Sequence, residues 1–577
     1  MSKGTFLFSA NRMNNTTASY AVVVQHVLVY ANLGKEFVND QCSGKEPWQI
    51  ILATIVTGFI ASWLHSFLFD NDLSLGKRLK MSFYYYFKKL PIIRSIVQKE
   101  MGSVLCDVNV QKLFPLKPGM SYMNHMPQSG RNLKNLLHLV DEYLSLDEVD
   151  WTGGKVSGTV YSGDPELTAV ASSVYHKFAW SNPLHADVFP SLRKMEAEVV
   201  RMACNLFHGD PHNSCGFVTS GGTESILLAC KAYRDWASSK GVRKPEMIVP
   251  VSAHAAFYKA AQLFKIKFVQ VPVDPTTRKV DLYAMQRAIN RNTCMLVGST
   301  PQFPHGVLDP IEEIAKLGSR YSVPVHVDAC LGGFLLPFMK DAGFPIPPCD
   351  FSVHGVTSIS ADTHKYGYAP KGSSVVMYSS RDWAHFQYFV APDWQGGIYA
   401  TPMFAGSRSG AVVAACWATL VHIGYEGYVA NTRKVISTAR YIENGLQNIG
   451  NIFVFGKPEM SVIAIGSLDF DIFRLSSELV NRGWNLNNLQ FPSSIHICCT
   501  MPHTKPGVAD CFLKDVQESV AAIMMAPQAK TTGAGALYGM AQAIPDRTLV
   551  SDIANCFIDA IYDTDSAVPK PYANGTA

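Results

Sequence analysis

Apolar and polar positions along the chain fall into three regimes. Residues 48–69, WQIILATIVTGFIASWLHSFLF, are apolar almost throughout and contain no Asp, Glu, Lys or Arg. As a helix they would extend about 33 Å, enough for the roughly 30 Å hydrocarbon core of a bilayer. Trp48 and Trp63 suit the membrane interfaces, and His65 can stay neutral near the helix end. The pattern predicts a transmembrane helix over 48–69. Residues 130–147 carry a helical apolar stripe (Leu133, Leu136, Leu137, Leu139, Val140, Tyr143). From about residue 195, short β-branched runs at 216–219, 247–252, 268–273, 294–299, 324–328 and 374–378 alternate with helical patterns such as 224–237 and 311–321. This βαβ alternation predicts an α/β fold with a mostly parallel sheet, helices on both faces and ligands at the carboxyl ends of the strands. After about 431 a long helix gives way to hairpin-like runs at 453–455 and 462–465, a helix at 471–482 and a strand at 495–499. That reads as a smaller α+β domain. The expected organisation is 1–47 before the membrane helix, 48–69 within it, and 70–100 as a basic juxtamembrane linker. It continues with 101–195 as an N-terminal segment, 196–430 as the large domain, 431–562 as the small domain and 563–577 as a loose polar tail.

Charge refines this picture locally rather than globally. A net charge of +4 over 577 residues is too small to imply a nucleic-acid partner. Residues 1–47 hold four basic and three acidic side chains, whereas 71–99 hold seven basic ones (Lys77, Arg78, Lys80, Lys88, Lys89, Arg94, Lys99) against Asp72 alone. The positive-inside bias puts the N-terminus in the lumen and the large body in the cytosol, with the basic, aromatic stretch 77–89 against anionic membrane lipid. Overlapping sequons at Asn14 and Asn15 would then face the lumen. The 13 cysteines show neither a C-x-x-C pair nor a zinc-ligand spacing, as expected of reduced thiols in a cytosolic body. No metal site is expected.

Four motifs carry candidate chemistry. In Thr219-Ser-Gly-Gly-Thr-Glu-Ser225 a strand ends, glycines turn and a helix begins. Gly222 and Thr223 there offer backbone N–H groups, a helix dipole and a hydroxyl to an anion. His254, just after a strand, is a flat ring able to stack on a planar cofactor. Asp328 ends the apolar strand His326-Val-Asp328 and needs a cationic partner, which a protonated pyridine nitrogen would supply. Ser360-Ala-Asp-Thr-His-Lys365 places His364 beside a candidate Schiff-base amine, Lys365. Singly, these read equally as an ordinary βα turn, a capping histidine, a structural ion pair and a surface lysine. Their order along the chain is that of the fold-type I enzymes that bind pyridoxal 5′-phosphate, to which this chain is similar.

The likeness extends further. Residues 157–163 (SGTVYSG), 182–185 (NPLH), 219–227, 299–306 (STPQFPHG), 326–333 (HVDACLGG), 355–374 and 393–399 (DWQGGIY) resemble the sphingosine-1-phosphate lyase family, from about residue 100 to 560. That resemblance implies cleavage of the C2–C3 bond of a phosphorylated sphingoid base to a long-chain aldehyde and phosphoethanolamine, at the endoplasmic reticulum membrane. It implies that Gly222, Thr223 and His364 hold the cofactor with Lys365, Asp328 and His254. Tyr161, Asn182, His185 and Lys371 become the substrate-phosphate group. The resemblance also implies a homodimer in which Ser407 reaches the neighbouring subunit's cofactor phosphate. This chain has Ser409 where the family pattern has proline. A group II amino-acid decarboxylase of the same fold, or an inactive membrane scaffold, are the rival readings.

Overall fold

The computed structural model describes residues 35–36, 39–40, 42–69, 75–87, 90, 116–117, 119–531, 542 and 547–564. Two compact units divide the chain, residues 1–83 and 84–577. In the first, Pro47–Phe69 forms one continuous helix of 23 residues. None of its first 18 residues is buried, and its length and composition meet the requirement for a single membrane span. Leu75–Phe87 is also helical and carries Arg78 and Lys80. The sequons at Asn14 and Asn15 lie outside the described residues.

The second unit is built on a seven-stranded sheet. Its strands are β1 (Cys215–Thr219), β2 (Glu246–Pro250), β3 (Lys267–Val271), β4 (Thr293–Ser299), β5 (Val325–Asp328), β6 (Val356–Ala361) and β7 (Ser374–Tyr378), in the order β1-β7-β6-β5-β4-β2-β3. Pairings within β3-β2-β4-β5-β6 are parallel, and only β7 runs antiparallel to its neighbours β1 and β6. Six strands therefore point one way, and their carboxyl ends share one edge. β6 is absent from the sequence-based strand set because VTSISA interrupts its apolar run with Thr357, Ser358 and Ser360. In the fold Ser358 and Ser360 are fully buried, and their hydroxyls lie 2.7 and 3.2 Å from the two ring nitrogens of His326 on β5. A polar pair satisfied internally can sit in a core strand that hydropathy alone does not mark.

A hairpin of β8 (Phe389–Ala391) and β9 (Tyr399–Thr401) follows. The Gly410–Gln447 helix comes next, capped by Ser409, whose side chain accepts from the Val412 amide. The serine at the family's proline position thus acts as an N-cap. The helix is broken at Gly424, where φ is 64°. The expected change of pattern at 431 falls a few residues beyond this break. Strands β10 (Phe453–Val454), β11 (Val462–Gly466), β12 (Asn487–Leu489) and β13 (Ser494–Cys498) make an antiparallel sheet in the order β10-β11-β13-β12. Ile472–Asn481 and Val508–Met524 are its helices. Ile248 and Val327 of the first sheet and Val462 and Ile495 of the second belong to one continuous apolar core.

Candidate active site

The shared edge of the large sheet gathers the chemistry. β1 ends at Thr219, and the helix Gly222–Ser239 starts three residues later; β2 leads to His254, β5 ends at Asp328, and β6 leads directly to Asp362 and Lys365. A cavity of about 370 Å³ is lined by residues 220–224, His254, Cys330, Asp362, His364 and Lys365. Gly222 is required there. A β-carbon on it would lie 2.7 Å from the Cys330 Sγ and 2.8 Å from the Asp362 Oδ1. Thr219 and Ser225 brace the turn through hydroxyls 2.7 Å apart, and Ser225 also meets the Ser374 hydroxyl at 2.8 Å.

Lys365 Nζ lies 2.9 Å from Asp362 Oδ2, and His364 Nε2 lies 3.5 Å from the same oxygen. Burial alone would raise the Asp362 carboxyl, but the Lys365 and His364 charges and bonds outweigh it and hold it at about 2. Conversely, burial works against the Lys365 ammonium, yet Asp362, with smaller contributions from Cys330 and Tyr161, drives it above the ordinary lysine value. His364 Nδ1 accepts from the amides of Gly372 and Ser373, which fixes the proton on Nε2, facing Asp362.

Asp328 is 6% exposed; Oδ1 accepts from the Cys330 amide at 3.1 Å and, at 3.5 Å, from the Ser360 hydroxyl. Among the described residues no lysine or arginine pairs with it. Behind it, burial pushes the His326 imidazole down to about 4 despite the pull of Asp328, so that ring is neutral. His254 Nδ1 accepts from the Ala256 amide, and the ring packs edge-on to Phe303 with centroids 6.4 Å apart.

On another side of Lys365, Lys371 Nζ sits 4.8 Å above the Tyr161 ring and donates to the His364 carbonyl at 3.2 Å. Burial, then repulsion from Lys365, lowers the Lys371 ammonium. Burial raises Tyr161, so its phenol stays a neutral donor. Tyr161 packs edge-on against Tyr366, whose hydroxyl donates to the Cys499 carbonyl (2.5 Å) and lies within hydrogen-bond distance of the Ser461 hydroxyl (2.6 Å), which can donate in return. Tyr366 thereby ties the Lys365 loop to the loop before β11 and the residue following β13.

The remaining sequence candidates gather elsewhere. Asn182 Nδ2 donates to Ser407 Oγ at 3.0 Å, and its Oδ1 accepts from the amides of Leu184 and Arg408. His185 is exposed, with its amide on the Asn182 carbonyl. Arg408 anchors this loop through two bonds to Glu196. Among the described residues the wall of the Lys365 cavity includes neither Asn182, His185 nor Ser407. Sequence reasoning missed Asp362 as a site residue. Its signal, an acid three residues before the lysine, becomes legible only once Gly222 is seen to lie against it.

A glycine turn at a helix start, a flat imidazole and a lysine on one cavity, with the buried carboxylate of Asp328 two residues from its Cys330 wall, fit pyridoxal phosphate, and the fold and site define a pyridoxal-dependent enzyme of the decarboxylase-like class. A family model described as the pyridoxal-dependent decarboxylase conserved domain matches residues 127–466. Sphingosine-1-phosphate lyase 1 of Mus musculus is 52% identical over 548 residues, covering 95% of this chain and 96% of that protein. The sphingosine-1-phosphate lyase of Drosophila melanogaster is 49% identical over 92% of this chain and 97% of its own. The structure of a Burkholderia pseudomallei sphingosine-1-phosphate lyase superposes with a TM-score of 0.71 at 37% identity, covering 78% of this chain and all of that one. The chain belongs to the sphingosine-1-phosphate lyase family.

Proposed function

We propose that this protein cleaves the C2–C3 bond of phosphorylated sphingoid bases with pyridoxal phosphate held at Lys365. The observation that carries this reading is a second cationic position, Lys371 with Tyr161, alongside Lys365 and separate from the glycine turn. One phosphate belongs to the cofactor; a decarboxylase acting on an unphosphorylated amino acid has no second one to bind. Gly222 and Thr223 would hold the cofactor phosphate, with His364 beside the attachment point. His254 would stack on the ring, Asp328 would keep its nitrogen protonated and Lys365 would bind it covalently. When bound, the cofactor supplies an electron sink for the substrate's amine-bearing carbon.

In the reaction the C3 hydroxyl loses its proton and C3 becomes the carbonyl of a long-chain aldehyde. The electron pair left at C2 is protonated, giving phosphoethanolamine. Lys371 supplies charge and Tyr161 a neutral O–H to the substrate's dianionic phosphate. Supplying phosphorylated sphingoid base and measuring aldehyde tests this. Carbon dioxide from an amino acid, without aldehyde, would favour the decarboxylase reading.

We propose further that the active form is a homodimer in which Ser407, with Asn182 and His185, completes the partner's site. Their absence from the wall of their own chain's cavity supports this. Mixed dimers of Lys365→Ala and Ser407→Ala chains should retain one intact site, about half the native activity per dimer. If Ser407 serves its own chain, every site in the mixture is damaged and activity stays near that of the single variants.

The apolar helix Pro47–Phe69 supports a single-pass anchor, for which we propose the endoplasmic reticulum, with the N-terminus lumenal and the catalytic body cytosolic. Replacing the seven basic residues of 71–99 by glutamine should weaken attachment to anionic lipid. Activity on vesicle-borne substrate should then fall about threefold or more, with little change on dispersed short-chain substrate.

A further inference from the structure

We infer that Asp362 is the counterion that holds Lys365 as an ammonium whenever its amine is free, and so controls when that amine can react. The inference rests on the reading that Lys365 binds the cofactor. Four observations carry it. Asp362 Oδ2 is 2.9 Å from Lys365 Nζ and is the one carboxylate paired with that nitrogen among the described residues. Its side chain is only 2% exposed, so the carboxylate half of the pair is shielded from water, while the lysine side is 24% exposed toward the cavity. Oδ1 is buried without a hydrogen-bond partner, leaving one carboxylate oxygen uncommitted in the cavity wall. Finally, the α-carbon of Gly222 packs so close to the carboxylate that no side chain fits between. One acid thus abuts both the glycine turn and the reactive amine.

An ammonium has no lone pair with which to attack an aldehyde. For Lys365 to react, a proton must leave Nζ for solvent base, which breaks the ion pair with Oδ2; the pair formerly in the N–H bond then becomes the nucleophile. When the amine is released, the proton returns and the ion pair re-forms, which holds the lysine aside. The other titratable groups around Lys365 are Tyr161 from the segment before the Pro165–Phe178 helix, Cys330 after β5, Cys498 on β13, and His364 and Lys371 on its own loop. Burial raises Tyr161, Cys330 and Cys498 above their ordinary values, which keeps them neutral, and Lys371 repels the ammonium. Asp362 is therefore the group that opposes the desolvation of Lys365. Removing its charge lets desolvation act alone, and the amine should lose its proton at lower pH.

The test is cofactor uptake by full-length protein stripped of pyridoxal phosphate, followed by the visible absorbance of the bound cofactor from about pH 6 to about pH 11. In the native protein the uptake rate should keep rising to the top of the range. In Asp362→Asn the half-maximal rate should move down by at least about one pH unit, and Asp362→Glu should restore much of the native profile. Labelling of Lys365 in the stripped protein by an aryl sulfonate amine reagent, read by mass spectrometry, should shift in the same direction. Coincident profiles for native and Asn proteins would overturn the inference. So would a native half-point at or below that of an ordinary lysine, a measurement that needs no variant to fold. Failure of the underlying reading has a different signature: Lys365→Ala would still acquire the absorbance band.

Discussion

The Lys365→Ala protein will lose the visible absorbance of covalently held cofactor and at least about a thousandfold in turnover, while keeping its fold. Lys365 is half-buried, and among the described residues its amine pairs with Asp362 alone. Alanine there leaves Asp362 without its main cation. The carboxyl should then rise from about 2 as burial, no longer outweighed, takes over. Sign matters for stability. A depressed carboxyl stabilises the native state above its unfolded value, and that contribution is lost as pH falls through the folded one. The variant lacks the Lys365 part of that gain, so it should melt lower than the native protein at neutral pH and approach it in acid. Loss of the band and turnover without loss of the far-ultraviolet circular dichroism signal would establish the residue as chemical rather than structural.

The second large effect falls on Lys371. Its alanine variant should raise KM for phosphorylated substrate about ten- to a hundredfold, the range expected for charge-assisted hydrogen bonds of about 1.5–3 kcal/mol. The cofactor band should be unaffected, because Lys371 contacts Tyr161 and the His364 carbonyl rather than the Lys365 amine. Its ammonium is already weakened by burial and by the charge of Lys365. As pH rises, Lys371 should therefore lose its proton before an ordinary lysine would. KM for the phosphorylated substrate should climb on the alkaline side, and Lys371→Arg should remove that limb because guanidinium stays charged. A KM that stays flat to alkaline pH in the native enzyme would contradict the assignment.

Much of this architecture is legible in the amino-acid sequence, for identifiable reasons. Apolar runs ending in polar chemistry mark the carboxyl ends of buried parallel strands, so Thr219, His254 and Asp328 all read as neighbours of one sheet edge, whereas Lys365 is legible through its His-Lys motif rather than its strand. β6 escapes because its serines satisfy His326 across the sheet, a pairing between residues 32 positions apart that no local pattern encodes. The Pro47–Phe69 helix is readable almost to the residue, since a membrane span depends on local composition alone. Asp362 is invisible as a site residue for the opposite reason: its role depends on Gly222, which reaches it only through the crossover that brings β1 beside β7 and β6. The proposed substrate-phosphate residues separate in one chain into Tyr161 with Lys371, and Asn182 with His185, the latter pair beside Ser407, the residue proposed for the cofactor phosphate. Sequence order cannot reveal a site divided in this way.

The Tyr366 hydroxyl ties the loop bearing Lys365 to Ser461 and Cys499, at the margin of the second sheet. Catalytic geometry and the integrity of the C-terminal third are therefore mechanically one property. A missense change in β11 or β13, far from any reacting atom, would act as a cofactor-retention defect. Such a protein should respond to an excess of the vitamin form that replenishes the cofactor, whereas one altered at Lys365 should not.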